Sequence, residues 1–233
     1  MSNQSTTSHG ISSTEYLMMA AESSYPPMAQ PVSVINPAFC VPYVVELTVA
    51  RKLIALTHGN FLVTDVSGTI MFKVKGAHFS LHDRRVLYDA NGRPLATLRQ
   101  KTFSAHGRWQ VFRGESSDSK DMIFSAKKSS LIQFKTELDV FLAANKKEDA
   151  PDFKLKGSWL ERSCTIFTGN NSTIIAQMHK KHTQQSFVLG RDTFSLTVYP
   201  NIDHAFISAL IVIFEEINVG SHIGGGAGSC SLS

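Results

Sequence analysis

Lysine and arginine are absent until Arg51, cysteine appears only three times, and no apolar run reaches bilayer length. The first absence removes the basic start of a secretory signal and the arginines of an organelle transit peptide, so the protein is expected inside the cell. Cys40, Cys164 and Cys230 are too widely spaced for a disulfide framework or a CxxC zinc pair. The greasiest stretch, Ala205 to Phe214, is ten residues with Ser208 its single polar member, bounded by Asp203-His204 and Glu215-Glu216. Spanning a bilayer takes about 20 such residues, so this segment is not expected to cross one. It also has no polar face and cannot lie on a surface. A buried helix over Asp203–Asn218 is the expectation.

Catalytic signatures are missing as well. The chain has no GxSxG and no HExxH, and the glycines after residue 223 lack the Lys-Ser or Lys-Thr of a phosphate loop. His78 and His82 would share a strand face, the only spacing that suggests a metal pair, and no metal site is assigned to them. His179 and His182 would point to opposite faces and read as surface residues. Trp109 and Trp159 read as core anchors, with stacking on a base the minority role. No cofactor is implied and no nucleophile is poised, so a noncatalytic protein is expected. The sequon at Asn171 is silent in an intracellular chain.

What the chain has instead is strand signal. Phe61–Val74, Arg85–Arg99 and Cys164–Met178 each read as two apolar, β-branched runs around a polar turn, with Asn91-Gly92 the clearest turn. Further strands are expected at Trp109–Arg113, Met122–Lys128, Leu131–Lys135, Asp139–Ala143, Phe153–Lys156, Gln185–Leu189 and Ser195–Tyr199. Roughly a dozen short strands in one sheet would expose long edges, and closure into a barrel removes them. The apolar helix then has a place as the plug of that barrel. Residues 1–37, with only Glu15 and Glu22 charged, read as a disordered leader, 38–219 as the barrel domain, and 220–233 as a flexible glycine-serine tail.

The charge is uneven. Lys73 to Lys135 holds 13 Lys plus Arg against 5 Asp plus Glu, a net of +8 in a chain whose total is +4. Such a stretch suits a phosphate-bearing partner, lipid headgroup or nucleic acid, or is simply a solvated rim. Lys73, Lys75, Arg84, Arg85, Arg93, Arg99 and Lys101 are the candidate anion-binding residues, with Arg108, Arg113, Lys127 and Lys128 in the wider pool. Lys73 and Lys75 share a strand face and form the most concrete pair. The closing Cys230-Ser-Leu-Ser fits a prenylation signal. One lipid chain anchors only marginally, so a basic patch would be its necessary companion.

The blocks GNFLVTDVSGTIMFKVKG, LHDRRVLYD, RWQVFRG, KGSWLERSC, QMHKKHT and FSLTVYPNIDHAFISALIVIFEEIN together resemble the plant LURP-one-related family, from about Asn36 to Asn218. That resemblance implies a fold like the carboxy-terminal domain of Tubby proteins and like phospholipid scramblases. Such a fold is mainly β, a twelve-stranded closed antiparallel β-barrel around a central hydrophobic C-terminal helix. It implies binding of anionic phospholipid, phosphoinositide in particular, by a membrane-tethered transcription regulator or signalling protein, with a link to plant defence. No family binding residue transfers by motif. The alternative is a nucleic-acid-linked regulator without membrane tethering, and a lipid-handling role ranks below both. The expected setting is the cytoplasm, with the plasma membrane or nucleus as further sites, and the expected state is a monomer of unknown protein partners.

Overall fold

The computed structural model describes residues 28–52, 60–76, 84–101, 107–129, 135–158, 161–169, 173–180 and 192–223. Twelve strands follow in order: β1 (Val45–Lys52), β2 (Asn60–Asp65), β3 (Ile70–Gly76), β4 (Arg84–Asp89), β5 (Pro94–Gln100), β6 (Trp109–Arg113), β7 (Met122–Lys128), β8 (Lys135–Leu142), β9 (Phe153–Ser158), β10 (Ser163–Thr168), β11 (Ile174–Lys180) and β12 (Asp192–Val198). One helix, α1 (His204–Ile223), ends the described chain. Each strand pairs antiparallel with its sequence neighbours, and β1 also pairs with β12, Leu47 opposite Leu196, so the sheet closes as a barrel. Closure leaves no row of unpaired backbone groups at an edge.

Alternation decides which side chains fill the interior. In β1, Leu47, Val49 and Arg51 are buried while Glu46, Thr48 and Ala50 are not fully so. The same period-two pattern puts Phe61 and Val63, Phe72 and Val74, Trp109 and Val111, and Leu138 and Val140 inside. α1 runs through this interior. Ala205, Phe206, Ile207, Ala209, Leu210, Ile211, Val212, Ile213 and Phe214 are all 0% exposed, so the helix is enclosed on every side. Phe206 meets Phe124 edge-on at 5.2 Å and Phe153 at 5.0 Å between ring centroids. The one polar member of the run, Ser208, donates its hydroxyl to the His204 carbonyl at 2.7 Å and carries no unmet hydrogen bond into the core. Among the described residues no helix is long and apolar enough to cross a membrane.

Gly157 marks the closest approach of wall and plug. A Cβ there would fall 2.6 Å from the Phe214 ring. The Asn91-Gly92 turn forms as expected, but Gly92 alone takes positive φ (82°), while Asp89 shapes the turn by accepting the Arg93 backbone N–H at 2.8 Å.

Several expectations shift. β1 has no counterpart among the anticipated strands. β8 is one strand across positions read as two, because Glu137 and Asp139 lie on its outer face and do not interrupt it. Residues 131–134, the Gln185–Leu189 strand, Trp159, His78, His82, His182, Asn171 and Cys230 lie outside the described residues. Residues 32–36, upstream of the expected domain start, contact the barrel end. Val32 bridges Ile202, and the backbone N–H groups of Val34, Ile35 and Asn36 all donate to one Asp203 oxygen, at 3.1, 2.7 and 2.9 Å. The helix continues five residues past Asn218, to Ile223.

Candidate functional site

The barrel interior is occupied by α1, which leaves the outer wall and the two ends for ligands. On β3, Lys73 and Lys75 flank inward-facing Val74, so both stand on the outer wall, about 7 Å apart. Across the β3–β4 pair Lys73 lies opposite Tyr88 and Lys75 opposite Val86, and the Lys75 ammonium sits 5.3 Å from the centre of the Tyr88 ring. Arg84 and Arg99 are direct cross-strand partners on β4 and β5. Two like charges placed so repel. The structure relieves this by turning Arg84 to the Glu115 carbonyl, 3.0 Å from Nη2, and laying Arg99 over the Phe112 ring at 5.3 Å. Lys101, exposed just past β5, extends the same face.

Lys73, Lys75, Arg84, Arg99 and Lys101 thus converge on the outer wall of β3–β5. None makes an ion pair with a described residue. The one carboxylate brought to this face among the described residues, Glu115, accepts from the Tyr88 hydroxyl at 3.3 Å. Burial, with Glu115 adding to it, pushes the Tyr88 phenol above its ordinary value, so Tyr88 stays a neutral donor and a platform for Lys75.

Two of the seven candidates fall elsewhere. Arg85 points into the barrel, where it is buried and donates to Glu216 of α1 at 2.9 Å. Arg51 approaches the same carboxylate at 3.5 Å. Arg85 neutralises the plug and is removed from the exposed anion-binding set. Arg93 is exposed but sits at the far end of β4, tied to Asp89 at 2.7 Å. From the wider pool, Arg108 is fastened to Glu148 by two bonds of 2.6 and 2.7 Å, and Lys127 adds a third at 3.0 Å. Those bonds, the Arg108 pair foremost, hold the Glu148 carboxyl at about 2. Arg108 and Lys127 thus already share a carboxylate.

Burial pushes both described cysteine thiols up, Cys40 modestly and Cys164 far. Among the described residues no three His, Cys, Asp or Glu side chains gather where a metal could sit. His179 is exposed on the outer wall, as its spacing suggested.

A sequence profile described as LURP-one-related matches residues 45–215, the span from the start of β1 to the end of the buried run of α1. The chain belongs to the LURP-one-related family. It is 54% identical to LURP-one-related 15 of Arabidopsis thaliana over 185 residues, covering 79% of this chain and 85% of that one. It is 46% identical to LURP1 of the same plant over 190 residues, covering 82% and 92%. An X-ray structure of an Arabidopsis thaliana protein superposes with a TM-score of 0.64 at 45% identity, covering 80% of this chain and 98% of that one. The LURP-one-related match thus spans all twelve strands.

Asp203, Arg51 and Glu216 were not among the candidates, though each organises an end of this LURP-one-related barrel. Asp203 had a readable signal, an acid directly before an apolar run, the usual N-cap pattern. Arg51 and Glu216 had none, since their pairing spans most of the chain.

Proposed function

We propose that the protein is a noncatalytic binding module whose β3–β5 outer wall docks on anionic phospholipid headgroups, phosphoinositides first, and so tethers a regulatory or signalling protein to a membrane in plant defence. The observation that supports this reading is the cluster Lys73, Lys75, Arg84, Arg99 and Lys101, five cations beside one carboxylate and without ion pairs to described residues. Elsewhere on the wall, Arg108 and Lys127 are spent on Glu148. Each Lys or Arg near an anionic leaflet contributes about 1 kcal/mol, so the cluster supports weak, salt-sensitive docking.

Flotation with phosphatidylcholine vesicles, with and without phosphatidylinositol bisphosphate, tests this reading. Changing Lys73 and Lys75 together to Glu should weaken binding at least about thirtyfold, the equivalent of two lost contacts of about 1 kcal/mol each. High salt should weaken it too, as the screening length falls from about 10 Å at 0.1 M to about 3 Å at 1 M. Binding indifferent to headgroup, salt and the double change would refute the proposal, and duplex DNA bound more tightly than these vesicles would replace it with nucleic acid as the partner.

A further inference from the structure

The barrel end that receives the start of α1 is not sealed. A cleft of about 570 Å³ opens there between the 38–46 segment, the turn after β2, and β3. That size lies within the usual range for small-molecule sites, about 300–1,000 Å³. Its walls are apolar: Phe39, Val41, Tyr43, Val66 and Met71. Tyr43 and Val66, at 44% and 83% exposure, are the exposed large hydrophobic side chains among the described residues, and both line this cleft.

Its one basic side chain is His204, the first residue of α1, packed edge-on to Phe39 at 5.2 Å and against Phe72 at 5.6 Å. The ring is only 4% exposed, and neither nitrogen has a hydrogen-bond partner in acceptable geometry. A buried polar group left so costs about 1–3 kcal/mol. Burial depresses the His204 pKa from its ordinary value, and the Asp203 charge and Phe39 backbone oppose that shift without reversing it, so the ring offers one N–H donor and one bare nitrogen acceptor.

We propose that this cleft binds a small uncharged amphipathic molecule whose hydroxyl or carbonyl oxygen pairs with the His204 imidazole while its apolar body lies against Phe39, Val66 and Met71. The surrounding charges disfavour an anion. Glu46 and Asp65 stand on the cleft wall with no Lys or Arg among its lining residues, which repels an anion. A cation carried to the depth of the cleft would find the Asp203 carboxylate already accepting five backbone N–H groups. The cleft is at the end of the barrel opposite Arg51, Arg85 and Glu216, and Lys75, Arg84, Arg99 and Lys101 lie toward that other end. It therefore stands or falls independently of headgroup docking.

The test is a titration of the full chain, labelled with ¹³C-histidine, with 2-naphthol, naphthalene and 2-naphthoate as probes. 2-Naphthol should bind saturably and move the His204 ring resonance, identified by its loss in His204→Phe. Naphthalene, which lacks the hydroxyl, and 2-naphthoate, which carries a charge, should each bind about tenfold more weakly, the value of one hydrogen bond. His204→Phe keeps the ring packing and should bring 2-naphthol down to the naphthalene level. Met71→Trp fills the cleft from β3 without altering His204 and should abolish all three, which decides the matter should His204→Phe fail to fold. Non-saturable binding, equal affinity for the three probes with the His204 resonance unmoved, or full binding by Met71→Trp would overturn the proposal.

Discussion

Replacing Asp203 by Ser separates two jobs that one buried carboxylate performs. One oxygen, Oδ1, accepts the backbone N–H groups of Ala205 and Phe206 at 3.0 and 3.1 Å and so caps α1. The other, Oδ2, accepts Val34, Ile35 and Asn36, pinning the chain that leads into β1 across the end of the barrel. A serine hydroxyl reaches the helix N–H groups and keeps the cap. It is too short to reach the 34–36 segment. Leaving one buried and two part-buried donors unpaired would cost at most roughly 3–9 kcal/mol, at about 1–3 kcal/mol for each fully buried group. Releasing the segment to water is cheaper, because the burial forfeited is chiefly that of Ile35, a side chain worth about 1.5–3 kcal/mol. The cheaper route sets the loss, about 2–3 kcal/mol. Asp203→Ala also loses the cap and should cost about 1 kcal/mol more.

Urea unfolding measures those totals, and amide hydrogen exchange tells where they arise. In Asp203→Ser the amides of residues 34–36 should lose protection while those of 207–214, in the middle of α1, keep theirs. Unchanged protection at 34–36, or a stability loss below about 0.5 kcal/mol, would show that the carboxylate does not hold the segment and that these five short bonds have been misjudged.

Gly157→Ala must displace the Phe214 ring, from which a new Cβ would lie 2.6 Å, and should destabilise by about 1–3 kcal/mol in thermal or urea unfolding. Glu148 has a folded pKa of about 2, below its unfolded value. Its contribution is therefore fully present above about pH 4.5 and lost as pH falls toward 2. Partial exposure of the pair limits it to about 1–2 kcal/mol, visible as a shallower acid limb of the stability profile in Glu148→Gln. Glu216→Gln would leave Arg51 and Arg85 buried without their carboxylate and should cost about 3–5 kcal/mol in urea unfolding, whereas changing all three to Met should recover most of that loss.

The helix was legible because a segment apolar on every side has no stable place except one enclosed by other elements. The hairpins were legible through turn chemistry and alternation, and β6 and β7 fall on the residues expected. β1 was missed because Arg51 stands at one of its inward positions, where a charge argues against burial until its partner is known. That partner, Glu216, arrives 165 residues later, and no local pattern announces it. β8 was split because charged residues on an outer wall mimic a break. For the candidate site, alternation put Lys73 and Lys75 on one face correctly. Arg84 and Arg85 were both taken as candidates, although the same rule sends adjacent strand residues to opposite faces, and in the structure one stays in the exposed cluster while the other serves the plug.

Filling the barrel with a helix has a consequence for where binding can occur. An eight-stranded barrel can hold a small ligand inside, but here the equivalent volume is taken by side chains of α1 at 0% exposure, and displacing them would dismantle the core. Recognition is confined to the wall and the two ends, which the charges treat differently. At the Glu216 end two arginines share one carboxylate in a nearly dry setting. At the Asp203 end the carboxylate is saturated by backbone N–H groups, while neither nitrogen of the adjoining His204 has a hydrogen bond of good geometry. On the wall, cations crowd β3–β5 but are paired off near Glu148. The wall cations lack an ion pair with a described residue, and His204 lacks a hydrogen bond of good geometry. Binding therefore requires no rearrangement of the plug, and vesicles or 2-naphthol should leave hydrogen exchange of residues 207–214 unchanged.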